Sequence, residues 1–264
     1  MRCVILIALV AFQAVRPAAV AAEPCPGRPD ALGTGRIVTL DVATTPRVGR
    51  KQFPVTLPLR DKELVLTFDD GPQPGTTPRV LDALKAECVR ATFFLVGRNA
   101  AAHPDIVRRE VAEGHSLGHH SYVHPLLDRL PLLRAAAEID RGIAADRSAL
   151  AGTREETATA PFFRFPGFAA SPALLRLAEE RGLIVFGADL WASDWRPLGP
   201  ERELRLLLGR IAQARRGIVL MHDTKLQTAL MLPALLRALK RRGYHIVHVV
   251  AAGSEASRAA PGRD

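Results

Sequence analysis

The chain has 264 residues, a formal charge of +9 at pH 7, three cysteines and 48% hydrophobic residues. That length suits one domain with a sizeable core. Three cysteines without a C-x-x-C spacing argue against a cysteine-built metal site, and arginine scattered without a basic block or motif gives no case for nucleic acid as a partner.

The first element in the chain is an export signal. Met1-Arg2 is a charged start, Val4 to Val15 is an apolar run, and Ala18-Ala19-Val20-Ala21-Ala22 is a small-residue stretch before Glu23-Pro24. The pattern predicts a secretory signal over residues 1–22, since a bilayer span needs roughly 20 apolar residues. No later stretch is long and charge-free enough to be a transmembrane span, and the mature protein is expected in the periplasm or outside the cell; its oligomeric state is open, with a monomer the expectation. Cleavage removes Arg2 and Arg16 and lowers the charge from +9 to +7. A basic exported protein suits anionic envelope polymers or membranes, although scattered arginine also suits an ordinary solvated surface. Cys3 leaves with the signal; Cys25 and Cys88 remain as a pair that an oxidising compartment could join.

Residues 23–60 are rich in Pro, Gly and Thr, with one short apolar piece from Arg36 to Leu40, and read as an arm packed on a domain. The domain is expected over residues 61–252. Its strands are predicted at Glu63 to Phe68, Ala91 to Val96, His115 to Gly118, Phe162 to Phe165, Leu183 to Gly187, Gly217 to Met221 and Ile246 to Val250. Helices fill the gaps at Pro78 to Cys88, Asp105 to Glu113, Leu130 to Leu150, Pro172 to Arg181, Pro200 to Arg215 and Ala229 to Arg242. Ser171 before Pro172 is an N-cap signal, and Gly182 and Gly243 stand where C-cap glycines would. The tail, residues 253–264, is expected to be disordered. Seven strands alternating with six helices predict an α/β fold, a distorted (β/α) barrel with about seven parallel strands, with an open parallel sheet as the alternative.

The polar residues gather after these strands. Asp69 and Asp70 follow the first, His119 and His120 the third, Arg164 ends the fourth, Asp189 follows the fifth, and His222 and Asp223 follow the sixth. In a β/α barrel the C-terminal strand ends form the rim on which active sites are built, so these scattered positions converge. Adjacent aspartates before Gly71-Pro72 are by themselves a turn signal, yet neighbouring side chains of an extended chain point opposite ways and could serve different tasks. His120 and His124 are spaced i, i+4, which puts both imidazoles on one face of a helical segment. With Asp70 they make one carboxylate and two imidazoles, a set that suits zinc or another divalent transition ion and leaves positions open for water and substrate.

Thr67-Phe68-Asp69-Asp70-Gly71-Pro72 followed by His120-Ser121-Tyr122-Val123-His124 resembles the polysaccharide deacetylases, carbohydrate esterase family four, over roughly residues 60 to 250. Arg164-Phe165-Pro166-Gly167 is similar to that family's third motif, Asp194-Trp195 to the end of the fourth, and Leu220-Met221-His222 to the fifth. The resemblance implies a metal-dependent deacetylase acting on an N-acetylated oligo- or polysaccharide. Asp70, His120 and His124 would hold one divalent metal ion, zinc first, with cobalt, nickel or manganese also suitable. Asp69 would be the base, kept ionised by the metal and by Arg164, and a backbone N–H near Gly167 would face the oxyanion. His222 would be the acid, oriented by Asp194, while Leu220 and Trp195 would wall the slot for the acetyl methyl. Arg164 also reads as an ordinary paired arginine, and Trp195 as core or a sugar-stacking platform. Two departures leave the substrate open: Gly167 and Phe168 stand where the family commonly has Tyr after the third-motif proline, and Trp191 replaces a frequent aspartate, with Asp189 the nearest substitute. O-deacetylation of an acetylated xylan-like glycan and glycan binding without turnover are the competing functions.

Overall fold

The computed structural model describes residues 20–21, 25, 27–153 and 159–253. Apart from residues 20–21, the signal expected over residues 1–22 lies outside the described residues, as does the expected tail from residue 254 onward. In chain order the elements are β1 (Val20–Ala21), β2 (Thr34–Leu40), β3 (Arg47–Val48), β4 (Glu63–Asp69), α1 (Thr77–Ala86), β5 (Thr92–Leu95), α2 (Gly97–Ala102), α3 (Pro104–Ala112), β6 (Ser116–His119), α4 (Leu132–Ala149), β7 (Thr159–Phe163), α5 (Pro172–Glu180), β8 (Ile184–Phe186), β9 (Leu190–Trp191), α6 (Pro200–Ala214), β10 (Gly217–His222), α7 (Leu226–Arg241) and β11 (His245–Ala251).

Every strand and helix expected between residues 63 and 250 is present, with shifted ends. The elements not foreseen are short: β1, β3 and β9 are two residues each, below any detectable alternation, and α2 is a six-residue Gly-Arg-Asn-Ala-Ala-Ala turn without an apolar stripe. The piece from Arg36 to Leu40 belongs to β2, which is hydrogen-bonded into the sheet beside β11. Local signals act as read: the Ser171 hydroxyl accepts from Leu174 N at 3.3 Å to cap α5, and Gly182 takes a positive φ of 65° just past its end.

The sheet is parallel except for β1 against β2. From β4 the pairings pass through β5, β6 and β7 to β8. The chain then bends at residues 187–189 into β9, which pairs with β10, and β10 pairs back with β4. The pairings stop short of a full ring, since β9 pairs only with β10 while β3 takes the free edge of β8; the chain alone spans the gap between β8 and β9, where the barrel is distorted. On the edge of β4 that carries β5, β11 takes the other end, and β2 follows β11.

Period-two alternation sorts each strand between two cores. Val65, Phe94, Phe162, Phe186 and Ile218 pack together inside the barrel with Val247 and Val249 of β11. Leu64, Leu66, Phe68, Phe93, Leu117, Val219 and Met221 face outward under α1, α3, α6 and α7, and Phe163 and Val185 do so under α4 and α5. Continuous apolar runs result, as in β4, where every residue is buried. Cys25 and Cys88 are joined by a disulfide that ties the N-terminal segment to the chain just beyond α1.

Candidate active site

The same alternation brings several polar residues to the barrel mouth, while Asp70, which has the outward parity of Phe68, reaches it through its left-handed backbone. Thr67 and Asp69 extend the inward row of Val65; Arg164 extends that of Phe162; Leu220 and His222 extend that of Ile218. His119 and Asp223 fall in the outward rows. Accordingly His119 Nδ1 lies 2.7 Å from Asp146 Oδ2 of α4, fully buried behind the rim, and Asp223 is bonded by the Thr77 hydroxyl at the start of α1. Asp189 also leaves the group. It precedes β9 and not a rim position, because the chain restarts there as a new strand, and its carboxylate accepts from Ile218 N at 2.8 Å, Arg50 N at 2.9 Å and Thr56 Oγ1 at 2.6 Å. It does not stand in for the missing fourth-motif aspartate.

Arg164 is buried and needs compensation on every side. Its NH1 donates to Asp69 Oδ1 at 2.6 Å and to Thr67 Oγ1 at 2.9 Å, its NH2 to the Gly187 carbonyl at 2.9 Å, and its guanidinium lies 4.3 Å from the Phe94 ring centroid. The bend after β8 thus supplies a backbone carbonyl to the guanidinium. The ordinary surface pairing considered for Arg164 does not occur. Burial outweighs Arg164, however, and raises the Asp69 carboxyl above its usual 3.8. Arg164 orients Asp69 and limits that rise; it does not hold the group low.

Asp70, His120 and His124 converge without a helix. Residues 120–124 form a loop in which Ser121 and His124 have φ of 64° and 63°, and Asp70 itself has φ of 77°. Left-handed backbone at three non-glycine residues is costly and marks a site held by its surroundings. The Ser121 hydroxyl accepts from His124 N at 3.1 Å, and Asn99 Nδ2 donates to the Asp70 carbonyl at 2.8 Å. His120 Nδ1 bonds the Arg164 carbonyl at 2.6 Å, which turns Nε2 toward Asp70. Asp70 Oδ1 lies 3.6 Å from His120 Nε2 and 3.3 Å from His124 Nε2, and this buried oxygen has no hydrogen-bond partner. The three ligand atoms lie within 4.8 Å of one another. Burial holds His120 near pKa 3 against the charge of Asp70, so it is in the neutral, ligating form. An orphaned carboxylate oxygen facing two imidazoles fits a divalent cation.

Behind Asp70 the chain turns through Gly71, where a Cβ would stand 2.1 Å from Asp223 Oδ2. Gly71→Ala must therefore displace the turn that carries Asp70. Zinc affinity measured by calorimetry is expected to fall about 10–100-fold, as for other losses of outer support; unchanged affinity would show that Asp223 and Gly71 do not position the ligand.

On the far wall, His222 Nδ1 lies 2.8 Å from Asp194 Oδ1, and Asp194 Oδ2 accepts from His222 N at 2.6 Å and from Thr228 Oγ1 at 2.9 Å. Burial opposes the imidazolium, but the Asp194 hydrogen bond and the charges of Asp194, Asp69 and Asp70 prevail and raise His222 to about 9 in the metal-free protein. Thr228 also lies 3.0 Å from Glu203, whose carboxyl is pushed up to about 7 by burial and by Asp194. Thr67, Asn99, Glu203 and Thr228 are supports that sequence reasoning missed. Thr67 alone carried a signal, its inward parity with Asp69.

Asp69, Asp70, His120, His124 and His222 open into one cavity of about 370 Å³, walled by Phe165, Phe168, Trp195 and Leu220, with Gly167 and Lys225 also lining it. Every residue to which the resemblance gives a role lines this cavity except Arg164 and Asp194, which stand behind it. Trp195 is 53% exposed and edge-on to His222, with 6.1 Å between ring centroids, a rim position and not core. Gly167 has φ of 59° and Phe168 φ of 58°, and the turn they make brings Phe168 to the cavity where a tyrosine was missed.

A family model described as polysaccharide deacetylase matches residues 57–186. A peptidoglycan-N-acetylglucosamine deacetylase of Listeria monocytogenes is 35% identical over 191 residues, 72% of this chain and 38% of that protein. The chain thus spans well under half of that relative's length. A chitooligosaccharide deacetylase of Bradyrhizobium sp. is 33% identical over 199 residues, 70% of this chain and 88% of that protein. The solved structure of a Bdellovibrio bacteriovorus peptidoglycan deacetylase matches with a TM-score of 0.74 and 29% identity, covering 97% of this chain and 67% of that one.

Proposed function

Because the chain belongs to the polysaccharide deacetylase family, we propose that it is a metal-dependent hydrolase that removes N-acetyl groups from N-acetylglucosamine-containing glycans of chitooligosaccharide or peptidoglycan type, releasing acetate. The observation that carries the reading is the juxtaposition, in one cavity, of the Asp70, His120 and His124 group with Asp69 on one side and His222 on the other.

A divalent ion held by Asp70, His120 and His124, zinc in this proposal, supplies Lewis acidity toward the acetyl carbonyl and acidifies water. Asp69, its Oδ1 held by Arg164, takes the proton of the attacking water through its other oxygen. The exposed Gly167 N–H, on its left-handed turn, donates to the developing oxyanion. His222, protonated and oriented by Asp194, gives its proton to the departing amine, which cannot leave as an anion. Leu220 and Trp195 wall the acetyl methyl, with Phe165 and Phe168 across from them. Export to the periplasm or beyond, after loss of residues 1–22, is supported by the sequence pattern of that segment and by the Cys25–Cys88 disulfide; no helix among the described residues is long and apolar enough to cross a membrane.

Metal-loaded protein incubated with chitooligosaccharides, peptidoglycan and acetylated xylan is expected to release acetate from the N-acetylated glycans, and an Asp70→Ala control is expected to release none. Absence of metal-dependent acetate from all three rejects the reading. His222→Asn is expected to lower turnover of amide substrates by about 10²–10⁴-fold and that of acetate esters by less, because an alkoxide leaves more readily than an amide anion. Equal losses on both would remove His222 from the role of acid.

A further inference from the structure

Among the residues that line the cavity, Lys225 has no part in the chemistry above. It is half-buried, its backbone N–H bonds the His222 carbonyl at 3.2 Å, and it stands immediately before α7. No hydrogen bond or ion pair is made by its side chain among the described residues; Asp69 is engaged by Arg164, Asp194 by His222 and Thr228, and Asp70 faces the two imidazoles with which it would hold the ion. The Lys225 ammonium is thus a cation on a wall otherwise formed by Phe165, Phe168, Trp195 and Leu220, and a neutral acetamide sugar offers it no opposite charge. An ammonium in such a setting gains from a charged acceptor on the ligand.

We propose that Lys225 is a specificity determinant for anionic N-acetylated glycans, binding a carboxylate borne by the reacting sugar or by the sugar next to it. The assignment rests on the deacetylase reading above and narrows its substrate. Lys225 lies on the His222 side, where the leaving amine and its sugar sit, so the matching carboxylate is one near the amino-bearing carbon: an acidic ether on the adjacent oxygen, or an acid on the sugar joined at the neighbouring anomeric carbon.

The test uses peptide-free peptidoglycan glycan strands, which carry free lactyl carboxylates, and the same strands with those carboxyls converted to neutral methylamides. The metal-loaded wild type is expected to favour the acidic strands by about tenfold in kcat/KM, expressed in KM, as one charge-assisted hydrogen bond provides, and to lose the preference as salt rises. Lys225→Met is expected to bring the ratio to about one, and Lys225→Arg to restore most of it. An unchanged ratio in Lys225→Met, or no preference in the wild type, overturns the proposal. Calorimetric binding of both strands to metal-loaded Asp69→Asn, with and without Lys225→Met, reads the same ratio without turnover. Failure of acetate release then counts against the deacetylase reading, while the affinity ratio still decides for or against Lys225.

Discussion

Replacing Asp69 by asparagine lowers kcat for acetate release by about 10²–10⁴-fold, the range that a positioned base contributes, while the metal remains bound at one per chain. The amide has nearly the shape of the carboxylate, so its oxygen can still accept from Arg164 NH1, which donates to Asp69 Oδ1 at 2.6 Å in the native protein. What is lost is the second oxygen's capacity to take a proton. Asp69 Oδ2 is 3.8 Å from His120 Nε2, farther than Asp70 Oδ1 is, which is why metal stoichiometry is expected to survive. Activity of the metal-loaded enzyme is expected to rise with pH along an acidic limb as Asp69 ionises, and that limb should vanish in Asp69→Asn. Activity within tenfold of native would place the base elsewhere; loss of the metal would make Asp69 a ligand.

Arg164→Met destabilises the protein by about 3–5 kcal/mol at neutral pH, the cost of leaving one half of a buried ion pair without its partner. Both side chains are almost wholly buried, and the substitution also strips Thr67 Oγ1 and the Gly187 carbonyl of a donor. The loss depends on pH in a defined direction. Without Arg164 the folded-state pKa of Asp69, already raised by burial, rises further, so the folded protein binds a proton that the unfolded chain releases above its own value of 3.8. The stability linked to that proton is present below 3.8 and is lost as pH rises through the folded-state value. The difference between variant and native protein in urea denaturation should thus be largest near pH 7 and shrink toward pH 4. A difference that is the same at both pH values would show that lost packing around Phe94, and not orphaned charge, is the cause. Arg164→Lys should recover only part of the loss, since one ammonium cannot reach Asp69, Thr67 and the Gly187 carbonyl together.

Much of this was open to reading before any coordinates. Continuous apolar runs in β4, β5 and β10 can only be strands covered on both faces, and their alternation with amphipathic helices leaves few architectures. Parity along those strands was legible too, and it separates His120 from His119 and His222 from Asp223 without further information. The short elements were not legible, because β3 and β9 are held by neighbours distant in the chain, Val185 and Phe186 for one, Val219 and Leu220 for the other.

The sequence by itself determined the barrel strands and the inward rows that carry Asp69, His120, Arg164 and His222 to the mouth, because period two and burial are local constraints. Only the tertiary structure decided how the meeting is held. The i, i+4 histidines converge through left-handed loop residues and not through a helix. Asp189 is drawn off to brace the start of β10, and the carbonyl of Gly187 accepts from Arg164. Those outcomes depend on hydrogen bonds between segments far apart in sequence, whose partners are chosen by the order of strands in the sheet and not by the residues alone.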